Sequence, residues 1–244
     1  YVHNGSIGYY DAARVSLGSL GLVSTIPLDL LPAYDLEVVH RLVDLEVALE
    51  HFDELLASNR HAEFFWWPDD DVAEVKTIDA PGEAGHPELP DATVTEVDSG
   101  PSHEVFPSVR DVRFNEMEYG VPAERGPATM REIRDLVASR DDVEFPVEYR
   151  YVRGDGIPLS PAYGRDTVFV AVHKYHEKPY ADFFSAAEEI FRSYDGRPHW
   201  GKHHGLTTDE LSMIYPKWET FQAVREELDP VGVFLNAYLR DLFG

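Results

Sequence analysis

The sequence contains no cysteine and few lysines, and both absences narrow what the protein can be. Without cysteine there is no disulfide, no thiolate metal ligand and no cysteine nucleophile among the 244 residues. Only 5 lysines accompany 16 arginines, while Asp and Glu total 45, which gives a formal net charge of -24. A polyanion binder needs a basic face, so we expect no nucleic-acid partner. An acidic, lysine-poor surface also indicates a salt-adapted protein, with an ordinary acidic surface as the alternative.

Long hydrophobic runs are missing as well. No apolar stretch approaches the roughly 20 residues that cross a bilayer. The start, YVHNGSIGYY, has neither the basic nor the apolar region of a secretion signal. We therefore predict a cytoplasmic protein without a transmembrane segment. Because the sequence opens on Tyr1 rather than Met, we also expect a fragment or a processed chain.

The order of predicted elements repeats once along the chain. In the first pass, residues 35–41 are predicted as a strand, 42–59 as a helix with Asp44 as its N-cap, and 61–68 and 72–78 as two strands. The second pass gives a strand, a helix, two strands and a further helix, followed by helical segments to the end. These elements are predicted at 111–122, 127–140, 146–153, 166–175, 178–194 and 208–228.

Two further segments complete the expected architecture. Gly18 and Gly21 precede the alternating run 22–30, which predicts a tight turn that leads into a strand. The stretch 79–103 is rich in Pro, Gly and acid and lacks periodicity over most of its length, so we expect an exposed acidic loop. Helices segregated around antiparallel strands indicate an α+β fold, with an antiparallel sheet flanked by helices.

Two of the predicted strands carry polar side chains at a spacing of two. Glu148 and Arg150 leave one face of their strand, where a carboxylate and a guanidinium could hold the hydroxyls of a polyol. His173 and Tyr175 also share a face; a histidine can accept a proton near neutral pH, and a tyrosine can orient a hydroxyl. The alternatives are an ordinary surface ion pair and a partly solvent-exposed histidine without a functional role, and the spacing leaves both open.

The segment RPHWGKHH, residues 197–204, is a cationic island in this acidic chain. Lys202 stands among Gly, Trp, Pro and His, which suits a half-buried cation that faces developing negative charge. A solvated loop lysine fits the same residues. The glycines match neither a P-loop nor G-x-G-x-x-G, so a phosphate cradle is not indicated.

A metal-dependent hydrolase is a third interpretation of these histidines. It would need His199, His203 and His204 to converge, or His173 and His176 to act as ligands. Hydrolytic zinc sites usually present two histidines one helical turn apart, with a third ligand and a carboxylate base. Pro198 argues against a regular helix through the segment, and Lys202 would oppose a cation. We therefore expect no metal site.

Seven segments occur in the order found in one known family. Together they resemble the C-terminal part of sugar-1,4-lactone oxidases of the D-arabinono-1,4-lactone oxidase and alditol oxidase type, within the vanillyl-alcohol-oxidase-type flavoproteins. The resemblance covers nearly the whole chain except the stretch 79–103. Any one motif is modest, but seven in order are a specific match. The segments are SLGSLGLVSTIPLDLLPAYDL, AEFFWWPDDD, NEMEYGVP, FPVEYRYV, PLSPAYGRDTVFVAVHKY, RPHWGK and LDPVGVFLNAYLRDLFG.

The resemblance implies an FAD-dependent oxidation of a CH-OH group of a sugar lactone or polyol. In such enzymes an N-terminal domain grips FAD, and the C-terminal domain, a duplicated ferredoxin-like cap, covers the flavin ring and forms the substrate pocket. Matched by position, Glu148 and Arg150 take the family's E-x-R strand, which binds substrate hydroxyls beside the flavin. Lys202 takes the lysine of H-W-x-K, close to the flavin N1 and C2 carbonyl, where a cation would stabilise the charge of the reduced ring.

Further roles follow from the same match. His173 falls at a pocket histidine and is the candidate base, so the implied catalytic set is His173, Lys202 and Arg150. Tyr175 replaces the small hydroxyl residue of the alditol branch, which favours a lactone over an open-chain polyol as substrate. The implied flavin contacts are Gly18, Leu20, Gly21, Val23, His199, Lys202 and Asn236.

The resemblance also divides the chain. Residues 1–33 match only the tail of a flavin-binding domain, and residues 34–244 match the cap or substrate domain. The body of the flavin domain would come from the same parent chain or from a second polypeptide, and we predict that the 244 residues alone bind FAD poorly and do not turn over. The alternative is a non-catalytic remnant or partner subunit that binds a sugar acid or another protein. The joint presence of Glu148, Arg150, His173 and Lys202 argues against it.

Overall fold

The computed structural model describes residues 8–83, 88–107 and 111–243. Two predicted regions lie partly outside the described residues, namely the flavin-domain tail at residues 1–7 and the acidic loop at residues 84–87. Gly244 also lies outside them. None of the described helices is long and apolar enough to cross a membrane. The elements in chain order are α1 (Tyr9–Arg14), β1 (Asp35–Asp44), α2 (Leu45–Glu50), α3 (Phe52–Ser58), β2 (His61–Trp67), β3 (Val72–Asp79), β4 (Thr93–Pro101), α4 (Ser102–Val105), β5 (Phe114–Pro122), a 3-10 turn (Ala123–Arg125), α5 (Gly126–Ala138), β6 (Val147–Val152), β7 (Thr167–Tyr175), α6 (Ala181–Ser193), β8 (Arg197–Pro198), α7 (Thr208–Ile214), α8 (Trp218–Leu228) and α9 (Ala237–Phe243).

The described strands form one antiparallel sheet in the order β4-β1-β3-β2-β6-β7-β5-β8. Two units of the same plan make up its centre: β1, α2, α3, β2 and β3 form the first, and β5, α5, β6 and β7 form the second. In each unit the last strand lies between the other two, and the units meet where β2 pairs with β6. The α+β fold and the repeated order of elements are therefore confirmed.

The helices cover one face of this sheet because every second strand residue is apolar. On β5, Met117, Tyr119 and Val121 are buried in the core that the helices share. At the seam between the two units, the rings of Phe64 and Tyr149 stack with centroids 4.6 Å apart. Phe52 of α3 packs edge-on against both rings. The intervening strand residues point to the opposite face, which is where the polar side chains collect.

The predicted strand over residues 22–30 is wrong, because the structure has no regular element between Gly21 and Tyr34. A strand is stabilised by a hydrogen-bonded neighbour, and no ladder joins this run to the sheet. Its alternating apolar side chains are instead exposed, from Leu22 at 91% to Leu30 at 86%. The preceding residues do pack: Ala12 is buried, and Leu20 lies against the core.

Two other boundaries differ from the sequence patterns. The predicted loop 79–103 contains a strand, since β4 pairs with β1 at the edge of the sheet and is exposed along nearly its whole length. The predicted helix 42–59 is shorter and divided, because β1 runs to Asp44 and the helix is interrupted at His51. The predicted cap is confirmed, since the Asp44 carboxylate accepts the backbone N–H of Glu46 at 2.8 Å.

Candidate active site

A cluster of charged side chains lies on the sheet face that the helices leave uncovered. Glu116 and Glu118 come from β5, Glu148 and Arg150 from β6, and His173 from β7. The strand register sets their spacing, because Glu116 lies opposite His173, while Glu118 and Glu148 flank the small residue at position 171 from either side. We call these five residues and Lys202 the carboxylate cluster.

Lys202 enters the cluster from the loop that follows β8. The loop continues the pairing with β5 through two backbone hydrogen bonds of 2.9 Å, from His199 N–H to the carbonyl of Glu118 and from His203 N–H to that of Glu116. Lys202 Nζ then donates to Glu118 Oε2 at 2.5 Å and also to Glu116 Oε1. The lysine side chain is 17% exposed, so the predicted half-buried cation is what the structure contains.

Glu118 is the centre of the cluster. Its side chain is fully buried, and each carboxylate oxygen meets a different cation. Arg150 donates from Nε at 2.9 Å and from Nη2 at 2.6 Å to Oε1, while Lys202 occupies Oε2. A buried carboxylate without such partners would be strongly destabilising. Arg150 also lies over the Phe169 ring, 5.3 Å from its centroid, which fixes the plane of the guanidinium.

Glu116 and His173 form the second half of the cluster. His173 is buried, with Nδ1 3.0 Å from the carbonyl of Pro146 and Nε2 3.2 Å from Glu116 Oε1. Burial alone would raise the pKa of Glu116, but the hydrogen bonds from His173 and Lys202 and the charge of Lys202 outweigh it and lower the pKa to about 2. Glu116 is therefore an ionised carboxylate shared by a lysine and a histidine.

Glu148 differs from the other two acids. It is buried at 7% exposure, and Arg150 Nε lies 3.5 Å from its Oε1. Burial raises the pKa of Glu148, the charge of Arg150 offsets part of that rise, and the neighbouring Glu118 adds to it. The surroundings of Glu148 thus make it easier to protonate than an exposed carboxylate.

Two cavities open beside the cluster. One, of about 360 Å³, has a lining that includes the aromatic side chains of Phe65, Phe145 and Tyr175 and reaches His173. The Tyr175 and Phe145 rings lie 4.3 Å apart, so the predicted substrate residue Tyr175 is placed next to the cluster. The other cavity, of about 460 Å³, lies on the Lys202 side, and its lining includes Trp200 and Tyr238.

The metal interpretation finds one grouping in the described part of the chain. Ligand atoms of Glu116, Glu148 and His173 lie within 4.8 Å of one another. Lys202 already binds Glu116, and its ammonium group would repel a metal ion there. The three loop histidines do not converge, because His199 Nδ1 accepts Gly201 N–H, while the other two side chains meet Asn115 and Tyr238.

The other predicted flavin contacts are not members of the carboxylate cluster. Gly18 and Gly21 have φ values of 72° and 134°, as the predicted tight turn requires, and Leu20 between them packs on the core. Val23 is 63% exposed. Asn236 caps α9, accepting Leu239 N–H at 2.9 Å. Their flavin-binding roles stay predictions.

The sequence analysis missed two members of the site, Glu116 and Glu118. Both stand in the segment NEMEYGVP at a spacing of two, the same signal that drew attention to Glu148 and Arg150. What the sequence does not contain is the adjacency of β5 to the loop that carries Lys202, which makes these acids partners of the lysine.

Known proteins resemble this chain in sequence and in fold. Residues 86–242 match the sequence profile of the family described as D-arabinono-1,4-lactone oxidase. An L-gulono-1,4-lactone dehydrogenase of Mycobacterium tuberculosis is 37% identical over 96% of this chain and 64% of its own length. An alditol oxidase of a Streptomyces species is 31% identical over 96% of this chain and 62% of its own length. The chain thus spans less than two thirds of these curated relatives.

A solved cholesterol oxidase from Brevibacterium sterolicum has a similar fold. It superposes with a TM-score of 0.68 over 87% of this chain and 60% of that chain, at 15% identity. At this identity the likeness concerns the fold alone.

Proposed function

Since the chain belongs to the D-arabinono-1,4-lactone oxidase family, we propose that it is the substrate-binding part of an FAD-dependent oxidoreductase acting on a CH-OH group of a sugar lactone or polyol. The observation that carries the proposal is the carboxylate cluster, in which the E-x-R pair of β6 and Lys202 meet on one sheet face through the shared Glu118. Surface ion pairs would not produce a carboxylate that is fully buried between two cations.

Substrate hydroxyls would bind at Glu148 and Arg150. The Arg150 contacts with Glu118 use Nε and Nη2, so its Nη1 group is left to donate to a substrate oxygen. Glu148 supplies the acceptor for a hydroxyl proton from the adjoining strand position. Tyr175 and Phe145 narrow the neighbouring cavity with two rings, which favours a compact cyclic lactone over an extended polyol.

The residues present fit a flavin at Lys202. An ammonium group has three N–H donors, and the contacts with Glu116 and Glu118 use two of them. One donor remains for an acceptor on the flavin ring, and the side chain keeps partial exposure on that face. FAD, when bound, would supply the two-electron oxidant. Lys202 would stabilise the negative charge of the reduced ring from a fixed position.

The rest of the flavin site would come from a flavin-binding part, in the same parent chain or in a second polypeptide. The run 22–31 supports this, because an apolar segment with several exposed large side chains, Ile26 and Leu31 among them, is typical of a surface that another folded part covers. We accordingly expect the 244 residues alone to bind FAD weakly and to remain inactive. A purified chain that is yellow and oxidises a lactone would contradict this expectation.

The test of the proposed function uses a protein in which this chain is joined to its flavin-binding part. Lys202→Met should slow flavin reduction by a sugar lactone by about 10²–10³-fold while weakening lactone binding little. Lys76→Met is the matched control, because Lys76 forms a single ion pair with Glu63. Stopped-flow absorbance of the flavin measures both variants. Equal reduction rates in the two variants would remove the role of Lys202.

The second candidate is a non-catalytic partner subunit. The exposed run 22–31 is the observation that favours it, since it could serve a protein interface without catalysis. Such a subunit needs an interface but not the cluster, so Glu118→Gln would leave its partner binding intact, whereas an oxidoreductase would lose turnover. Pull-down and turnover measured on the same variant separate the two.

A further inference from the structure

The hydrogen-bond partners of His173 determine where its protons lie. Nδ1 is 3.0 Å from the carbonyl oxygen of Pro146, and a carbonyl can only accept, so Nδ1 carries a proton. Nε2 is 3.2 Å from Glu116 Oε1. Lys202 Nζ donates to this same oxygen and cannot accept, so Oε1 acts as an acceptor. The contact is attractive if Nε2 carries a proton too.

The charges that surround the ring favour the same state. Glu116 faces it from β5, and Glu148 reaches it from β6. Lys202 binds the same Glu116 oxygen, Oε1, that lies beside His173 Nε2, so the two side chains share this carboxylate oxygen. The remaining titratable groups that line the adjoining cavity are two acids and one phenol, namely Asp111, Glu144 and Tyr175.

We propose that Glu116 holds His173 as a doubly protonated ring and that Glu148, not His173, takes the hydroxyl proton of the substrate. This inference rests on the proposed function for its second half only. A ring with both N–H groups donated, one to Pro146 and one to Glu116, has no lone pair with which to accept a proton. His173 is then a positioning residue, which fixes Glu116 and through it Lys202.

Glu148 has the properties that the proton acceptor needs. It shares the substrate-facing side of β6 with Arg150, and its contact with that arginine is long, at 3.5 Å, so its oxygens are not saturated by strong hydrogen bonds. Burial favours its neutral form, which makes it a stronger base than an exposed carboxylate. Glu116 lacks this property because its pKa is lowered, and both oxygens of Glu118 are already occupied by Arg150 and Lys202.

The step balances as follows. The O–H bond of the substrate breaks, its proton goes to a Glu148 oxygen to give the carboxylic acid, and the O–H electron pair becomes the second bond of C=O. The hydrogen on the same carbon leaves with its electron pair to the oxidised flavin. The substrate loses two electrons and two hydrogens: one hydrogen leaves as the proton on Glu148, and the other, with the electron pair, would be taken up as hydride by FAD when it is bound.

The test of the histidine needs no flavin. Nitrogen-15 NMR of the histidine-labelled chain at pH 7 should show two ring N–H signals for His173, identified by their loss in His173→Gln. Glu116→Gln should abolish the Nε2–H signal and leave the Nδ1–H signal. Glu74→Gln is the matched control on the same sheet face: Glu74 binds His40 Nδ1 at 2.8 Å, so His40 should respond and His173 should not. A single N–H on His173 in the unmodified chain overturns the inference.

The test of Glu148 uses the flavin-loaded protein. The rate of flavin reduction should fall at low pH as Glu148 becomes protonated, which gives the pH profile an acidic limb. Glu148→Gln should slow flavin reduction by about 10²–10⁴-fold and remove this limb, whereas His173→Gln should retain it. Loss of the limb in His173→Gln with retention in Glu148→Gln overturns the assignment. If no lactone or polyol reduces the flavin at all, the proposed function fails, whereas the NMR result still decides the state of His173.

Discussion

The two units of the sheet have the same plan, yet among the described residues the second carries the more deeply buried network of charges. On the uncovered face of the first unit, His40 pairs with Glu74 at 2.8 Å and Lys76 pairs with Glu63 at 3.1 Å, and all four side chains are 23–28% exposed. In the second unit two carboxylates share Lys202, and one of them, Glu118, is fully buried and also binds Arg150. The chemistry thus depends on burial and on shared partners rather than on topology, which the units have in common.

The difference has a physical cause. The first unit ends in the exposed edge strand β4, while the second is flanked by β8 and the loop that brings Lys202 over β5. That loop supplies the extra cation and excludes water from the acids beneath it. Charges in a dry site interact more strongly than wetted ones, so we expect the two units to respond very differently to equivalent substitutions.

The largest effect is expected where the two units join. Phe64→Ala removes a fully buried ring that stacks on Tyr149 and should lower the free energy of unfolding by about 4 kcal/mol. Val97→Ala, on the exposed edge strand, should change it by less than about 0.5 kcal/mol. Urea denaturation measures both. A loss at Phe64 no larger than that at Val97 would mean that the seam does not stabilise the sheet.

The next effect compares the two lysines of the uncovered face. Lys202→Met leaves Glu116 and Glu118 with one cation fewer in a buried setting and should destabilise the chain by about 3 kcal/mol. Lys76→Met breaks a half-exposed pair and should cost less than about 1 kcal/mol. Chemical denaturation at low salt separates them. Similar losses would show that the network behaves like two ordinary surface pairs.

The pH dependence of stability gives a smaller effect. The pKa of Glu116 is lowered to about 2 in the fold, so the unfolded chain binds a proton at higher pH than the folded one does. Its contribution, on the order of 2 kcal/mol, is present above about pH 4.5 and is lost as the pH falls toward 2. The difference in unfolding free energy between the unmodified chain and the Glu116→Gln variant should therefore shrink as the pH falls through this range. A difference that stays constant in urea titrations from pH 7 to pH 3 contradicts the assignment.

The smallest effect concerns the start of the helices in the two units. The Asp44 carboxylate caps α2, so Asp44→Ala should lower the free energy of unfolding by about 1 kcal/mol. The corresponding residue before α5, Arg125, makes no side-chain cap and only an exposed pair with Asp195. Arg125→Ala should cost less than about 0.5 kcal/mol. Thermal unfolding of both variants tests whether the caps differ as the structure indicates.

The sequence was informative where one strand face is apolar and the other polar. On β6 apolar and polar residues alternate from Val147 to Arg150, so Glu148 and Arg150 could be placed on one strand face without a structure. On β7 residues 168–172 are all apolar, and only the strand period of two pairs His173 with Tyr175. The repeated strand-helix-strand-strand order came from the same signal. The Asp44 cap was equally local, because it depends on residues next to it in the chain.

Features set by distant neighbours could not be predicted in this way. The edge strand β4 is exposed on both faces, so its residues carry no alternation of burial to detect. The run 22–30 has the alternation of a strand but no ladder partner in the described fold. The sharing of Glu118 between Arg150 and Lys202 depends on strand order, since β6 and β5 both flank β7. No spacing within one strand contains that information.

Strand β5 serves both sides of the sheet, with Met117 and Tyr119 facing the helices and Glu116 and Glu118 facing the cluster. An insertion or deletion of one residue would exchange the two sets, driving carboxylates into the core and apolar groups into the site. In evolution or engineering, β5 can therefore change by substitution, but not by single-residue changes in length. Among single-residue insertions and deletions placed along the chain, those in this strand should be tolerated least.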